Sequence, residues 1–310
     1  MKGPVVALTG ATGFIGRRLL QTLPAEGYRL RVLLRRPGEI PEGATSAAIG
    51  DLARPHNLAE ALRGVDVVVH SAGLAHAMSG RPEDDFRAIN TEGTLALARA
   101  AERVGVRRFV FLSSIRAQVG PSAAGVLTEE MEPAPTDAYG RSKLAAEHGL
   151  AGLALDWVAL RPVLVYGEGV RGNMALLLRL ARSPWPLPLG GLAGRRSLLS
   201  VDNLISAVDA VIRAPGPLRR PLIVADRGTL TVPEIVAALR SGLGRRPGLV
   251  PVPQAWLGFA ARLAGREAQW ERLAGSLVAE PGALMRLGWS PQVETGPGLA
   301  ALARCSRPDA

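Results

Sequence analysis

Short apolar runs rich in Val and Leu alternate, through the first half of the chain, with longer stretches whose apolar residues return every three or four positions. Residues 4–8, 29–34, 65–70 and 108–112 are such runs and predict buried parallel strands. Residues 16–23, 58–62 and 85–104 carry the helical spacing between them. Strand, helix, strand, helix predicts an α/β fold built on a doubly wound parallel sheet. Residues 157–160, ended by Arg161-Pro162, predict a strand on which the chain leaves this sheet, and 222–225 a last strand that returns to it.

Beyond Pro162 the pattern loosens. Pro184-Trp-Pro-Leu-Pro-Leu-Gly-Gly191 and Ala214-Pro-Gly-Pro217 punctuate it as loops. Thr231-Val-Pro-Glu234 predicts a helix start, with Thr231 as cap and Pro233 in the first turn. Residues 254–275 carry Trp256, Phe259, Leu263 and Trp270 at helical spacing. A helix packed on its own small domain is the expectation for them, ahead of a membrane-surface or partner helix. The predicted organisation is a dinucleotide-binding domain over 1–165, with 198–226 returning to it. A smaller, mostly helical C-terminal substrate domain takes 166–197 and 227–310.

Composition narrows the class. With 47% hydrophobic and 21% charged residues, the 310-residue chain reads as a soluble globular protein. The N-terminus enters an apolar run without a basic leader, and the longest uncharged apolar stretch, near 247–261, is interrupted by prolines and too short to span a bilayer. No membrane span and a cytoplasmic location are expected. The net charge of +10 comes from arginines scattered along the whole chain, with no basic stretch interleaved with aromatics. That distribution predicts no nucleic-acid partner, while the positive field suits a small anionic substrate such as a nucleotide diphosphate. Cys305 is the only cysteine, and His56, His70, His76 and His148 follow no ligand spacing, so neither a disulfide nor a metal site is predicted.

Gly10, Gly13 and Gly16 follow the first predicted strand and open the first helix. In such a loop the first glycine allows the tight turn, the second lets backbone approach a pyrophosphate, and the third lets the helix pack closely. The helix N-terminus then offers free N–H groups to the phosphates. At the end of the second strand an NAD site usually places an acid for the ribose hydroxyls. Here Arg35 and Arg36 stand there, suited to a 2′-phosphate, so the cofactor is read as NAD(P), with NADP(H) favoured.

Tyr139 and Lys143 lie one helical turn apart, in a chain whose tyrosines are otherwise Tyr28 and Tyr166 and whose other lysine is Lys2. A free phenol with a pKa of about 10 is a poor base, and an adjacent ammonium favours its phenolate. Ser114, ending the strand that begins at 108, is placed to hydrogen-bond a reacting oxygen; Ser113 is the near alternative.

Together these residues resemble the extended short-chain dehydrogenase/reductases, particularly their nucleotide-sugar epimerase/dehydratase branch, over nearly the whole chain. Thr9-Gly-Ala-Thr-Gly-Phe-Ile-Gly16 is similar to that family's cofactor loop, which implies cofactor contacts at Gly10, Thr12, Gly13, Phe14 and Ile15. The same resemblance implies contacts with the dinucleotide at Asp51 and Leu52 and at Ser71, Ala72 and Gly73. Asn90, Ser113, Pro162, Tyr139 and Lys143 join them, and Ser114, Tyr139 and Lys143 match the catalytic triad. Arg196, with Asn173 and Arg272, resembles the set that grips a nucleotide diphosphate. The activity implied is that of a UDP-sugar 4-epimerase working through a 4-keto intermediate, in a homodimer joined through helices near 85–104 and 139–150. An NAD(P)H-dependent reductase of a UDP-4-keto-6-deoxy sugar is the alternative, favoured by the two arginines. A non-catalytic NADP-binding sensor is the reading from another class, and the complete triad speaks against it.

Overall fold

The computed structural model describes residues 3–74, 81–170 and 172–306; His76 lies outside them. In chain order its strands are β1 (Val5–Thr9), β2 (Arg29–Leu34), β3 (Thr45–Ala48), β4 (Val67–His70), β5 (Arg108–Leu112), β6 (Val126–Leu127) and β7 (Trp157–Pro162). They continue with β8 (Leu164–Tyr166), β9 (Arg195–Arg196), β10 (Leu198–Ser200), β11 (Arg220–Val224), β12 (Leu230–Thr231) and β13 (Val278–Ala279). A seven-stranded sheet in the order β11-β7-β5-β4-β1-β2-β3 organises the molecule, and all its pairings are parallel.

Alternation along each strand explains why this sheet is covered on both faces. Val6 and Leu8, Val67 and Val69, and Val110 and Leu112 enter one core. Their neighbours Val5 and Ala7, Val68, and Phe109 and Phe111 enter the other. Burying one such side chain contributes about 2 kcal/mol relative to leaving it exposed.

The helices flanking the sheet are α1 (Phe14–Thr22), α2 (Leu58–Ala61), α3 (Glu83–Phe86), α4 (Gly93–Arg103) and α5 (Ala138–Ala151). Between α3 and α4 the chain does not run as one regular helix, as the spacing over 85–104 had suggested. It makes a wide π-helical stretch, Arg87–Glu92, that carries Asn90. At its end Gly93 lies against the Leu52 carbonyl so closely that a Cβ there would stand 2.4 Å from the oxygen.

The later helices are α6 (Asn173–Arg182), α7 (Val201–Arg213), α8 (Val232–Gly242), α9 (Gln254–Leu263), α10 (Glu267–Ala274), α11 (Gly282–Arg286) and α12 (Thr295–Cys305). Met174 and Leu177 of α6, Ile235 and Leu239 of α8, and Leu299 and Leu302 of α12 form a third core with Tyr166. Thr231 caps α8 in a reciprocal box with Glu234, the Thr231 N–H donating to Oε2 at 2.7 Å. Asp226 ties this region to the sheet, accepting from Ser200 N, Asn203 Nδ2, Tyr166 Oη and Thr295 Oγ1.

The strand from Trp157 runs to Pro162 and is the last in the sheet before the chain leaves it; 220–224 returns as its edge partner, and β5 pairs on the other side. One sequence expectation changes: the apolar stripe of 254–275 is not packed away on its own domain. No residue of α9 is buried, and Trp256, Phe259 and Leu263 are among the most exposed large apolar side chains described. Leu257, Trp270 and Leu273 lean on the third core, and Ala274 at the end of α10 is buried in it.

Candidate active site

Strand order reverses between β1 and β4, and in an open parallel sheet ligands bind outside the carboxyl ends at such a point. Thr9 and His70 are register partners at that edge. The loop after β1 turns through Gly10, whose φ of +72° lies in the left-handed region. A Cβ on Gly10 would stand 2.7 Å from Ala72 N, and one on Gly16 would stand 2.0 Å from Gly10 O. Gly16 thus lets α1 pack directly on the turn that leaves β1. Gly13 begins α1 with no side-chain cap and no acid in the first turn. The amides of that turn are therefore available to an anion, which fits the phosphates of a dinucleotide. Phe14 reaches toward the segment after β8, where a Cβ on Gly167 would meet its Cζ at 3.5 Å, and Ile15 packs against the core.

A relay of hydrogen bonds fixes the floor of this cleft. Thr94 Oγ1 donates to Asn90 O at 2.7 Å, so it must accept from His70 Nε2–H at 2.9 Å. His70 Nδ1 then accepts from Thr9 Oγ1 at 2.8 Å, and Thr9 Oγ1 accepts from Ala72 N at 3.1 Å. Burial, and secondarily the Lys143 charge, push the imidazole down to about 3, so it stays neutral and structural.

Asn90 extends the relay toward α5. Its amide donates to Ser142 Oγ at 3.0 Å and Leu74 O at 3.2 Å, and accepts from Leu74 N at 2.8 Å. Gly73 sits where any Cβ would lie 2.9 Å from Asn90 Oδ1 and 3.4 Å from Lys143 Nζ. The loop of Ser71, Ala72 and Gly73 is thus brought together with Asn90 and Lys143.

The serine and tyrosine meet in this cleft, and the lysine follows one helical turn after the tyrosine. Asp137 caps α5 by accepting from Gly140 N at 2.7 Å, which sets Tyr139 in the first turn and Lys143 one turn on. Ser114 hydrogen-bonds the Tyr139 side chain, and that bond lowers the phenol's pKa. Burial outweighs it and raises the phenol above its ordinary value; Asp137 also raises it and Arg116 lowers it. Asp137 and Arg116 are themselves an ion pair at 2.5 Å. The expected lowering by Lys143 is not what dominates here. Lys143 Nζ donates to Leu112 O at 2.8 Å and lies 4.5 Å over the Phe111 ring. Burial brings the ammonium down to about 8, with Glu147 working against that shift.

The alternative serine has another task. Ser113 Oγ donates to Glu147 Oε1 at 2.5 Å, and Glu147 is paired with Arg161 at 2.5 Å, both side chains only 3% exposed. Arg161 also donates to Gln118 Oε1 at 3.1 Å. Sequence reading missed this network, although Glu147 lies four residues after Lys143 on one helical face, a signal that was there to use.

The sequence profile of the NAD dependent epimerase/dehydratase family matches residues 6–224. The chain belongs to that family. It is similar to the UDP-glucose 4-epimerase of Vibrio cholerae, 33% identical over 297 residues, covering 92% of this chain and 90% of that one. It is also similar to a ceramide reductase of Caulobacter vibrioides, 32% identical, covering 80% of this chain and 74% of that one. Among solved structures, MoeE5 in complex with UDP-glucose and NAD is 27% identical with a TM-score of 0.73 over 97% of each chain. The protein is therefore an NAD-dependent epimerase/dehydratase family enzyme with the fold of epimerase structures.

Asp51, half-buried, meets Arg35 at 3.3 Å beyond the ends of β2 and β3, where Arg35 and Arg36 are both exposed. Leu52 supplies the carbonyl on which Gly93 rests. Pro162 ends β7 opposite Val224. Arg196 donates to the Arg272 carbonyl, so these two distant candidates are neighbours, and burial lowers the Arg196 pKa. Asn173 opens α6 in an exposed position. Among the described residues, no helix is long and apolar enough to cross a membrane.

Proposed function

We propose that this enzyme interconverts UDP-sugars at C4. The observation that carries the proposal is Ser114 bonded to Tyr139, one helical turn from Lys143, beside a glycine loop that opens a helix with no side-chain cap and no acid in its first turn. The cofactor is read as NAD(P), held by Gly10, Thr12, Gly13, Phe14, Ile15, Asp51, Leu52, Ser71, Ala72, Gly73, Asn90, Tyr139, Lys143 and Pro162. When bound, it supplies a hydride acceptor that returns the hydride to the same carbon. Tyr139 takes the C4 hydroxyl proton and gives it back. Ser114 holds the reacting oxygen and favours the phenolate. Lys143, positively charged at neutral pH, adds a second favourable field. Arg196, with Asn173 and Arg272, grips the diphosphate while the 4-keto sugar turns over. The proposed assembly is a homodimer through the outer faces of α4 and α5.

The Arg35 and Arg36 pair supports a second reading, an NADPH-dependent reductase of a UDP-4-keto-6-deoxy sugar in which Tyr139 is the acid. One experiment separates the two. The purified protein is denatured to release any dinucleotide, and a native sample is given UDP-glucose or UDP-galactose with no added cofactor. Retained NAD with interconversion, abolished in Tyr139→Phe, supports the epimerase. An empty protein that oxidises NADPH only with a 4-keto sugar overturns it in favour of the reductase.

A further inference from the structure

Trp256, Phe259 and Leu263 recur on α9 at the i, i+3, i+7 spacing of one helical face, and they are 74%, 62% and 74% exposed. Such a face normally turns inward. Here the opposite face does so: Leu257 leans on the third core, and Gly258 lies so close to α10 that a Cβ would stand 3.1 Å from the Trp270 indole nitrogen. The helix is anchored, and its apolar stripe is held outward on a fixed support. Trp185, 74% exposed, and Val250, 45% exposed, lie in the two segments joined by the Leu187–Leu249 bridge that leads into α9. Three large apolar side chains held outward together on one helical face mark an interaction site.

The charges around the stripe select the partner. Between 245 and 272 stand Arg245, Arg246, Arg262, Arg266 and Arg272, all exposed, against Glu267 and Glu271. Arg262 meets Glu267 at 3.1 Å, an exposed pair that leaves the surplus positive. Arginines alone would suit nucleic acid, but a leucine and a phenylalanine facing solvent have nothing to gain from a phosphate backbone. Aromatic and aliphatic side chains on one face, with guanidinium groups flanking it, match the acyl boundary and the anionic headgroups of a bilayer surface.

We propose that α9 docks this enzyme on anionic lipid surfaces, lying in the plane of the interface with Trp256, Phe259 and Leu263 below the headgroups. The attachment is peripheral, goes beyond the sugar chemistry proposed above and stands or falls without it.

Sedimentation of the full chain with vesicles tests this. Phosphatidylcholine vesicles containing phosphatidylglycerol should retain the protein about tenfold better than phosphatidylcholine alone, with the advantage lost at high salt. The triple variant W256S, F259S, L263S should lose that retention at least about tenfold while keeping its thermal midpoint and its dinucleotide affinity. Failure of the wild type to sediment with anionic vesicles overturns the proposal, as does equal retention of the triple variant. A wild-type assembly that the triple variant splits into smaller species, with no vesicle binding by either, also overturns it and assigns the stripe to a second copy of the chain.

Discussion

Ser113 donates its hydroxyl hydrogen to Glu147 at 2.5 Å, while Ser114, the next residue, is the serine bonded to Tyr139. Adjacent residues in extended backbone send their side chains to opposite sides, so one serine serves the buried ion pair and the other the cleft. Ser113→Ala should therefore cost about 2 kcal/mol of stability and change turnover only several-fold. Ser114→Ala should leave stability nearly unchanged and lower kcat/KM about 100-fold. Urea unfolding and steady-state kinetics on both variants check the split. Equal kinetic losses would refute the division of labour.

Glu147 and Arg161 are each 3% exposed, so removing either leaves a buried charge without its partner. Glu147→Ala should destabilise the protein by about 3–5 kcal/mol. Replacing both by Leu and Met should cost much less, because the desolvation penalty disappears with the charges. A denaturation series across the two single variants and the double variant measures the coupling; strictly additive losses would sink this account.

The same residues show what was legible in the sequence. The strands of the sheet interior were readable because both their faces are buried, which leaves unbroken Val-rich runs such as 67–70. β3 was not, because Thr45–Ala48 lies at the sheet edge and is small, polar and partly exposed. Tyr139 and Lys143 stood out by their spacing, since a helical turn brings i and i+4 to one face, and both lie on α5. The Thr9–His70–Thr94 relay was hidden, because it joins residues 61 and 24 positions apart. Helical spacing over 254–263 gave the periodicity of α9 correctly and its orientation wrongly. A period says that one face is apolar, not what that face meets.

Lys143 carries a pH signature. Its folded pKa, about 8, lies below the ordinary 10.5 because the ammonium is buried. The charged lysine therefore weakens the folded state at and below pH 8. The unfolded chain holds more protons between the two values, so this group's penalty is lifted as pH rises through that window. Lys143→Met should be more stable than wild type by about 3 kcal/mol at pH 7, and the difference should shrink toward pH 10.5. Thermal midpoints of both proteins across that range supply the check. A difference that is flat with pH would contradict the assignment.

Arg35 is 73% exposed and shares Asp51 at 3.3 Å, with Arg36 next to it. If these guanidinium groups serve a 2′-phosphate, Arg35→Ser with Arg36→Ser should weaken NADPH binding about tenfold or more and leave NADH binding little changed. Fluorescence titration of both reduced cofactors measures this, and parallel losses for the two would show that the arginines do not read the phosphate.

His70 should limit stability on the acid side. Its imidazole is buried between Thr9 and Thr94, and burial takes its pKa from 6.5 to about 3. Below the unfolded value the unfolded chain gains a proton that the folded one refuses, so stability falls as pH drops from 6.5 toward 3. The slope approaches about 1.4 kcal/mol per pH unit for this one group. His70→Gln removes the titrating ring while keeping a donor and an acceptor. The variant should be less stable than wild type at pH 7, because the relay is imperfectly rebuilt, and should lose less on acidification. Urea midpoints at several pH values between 7 and 4 give the two curves. Convergence toward low pH is the expected result, and curves that stay parallel would mean that His70 is not the group that titrates.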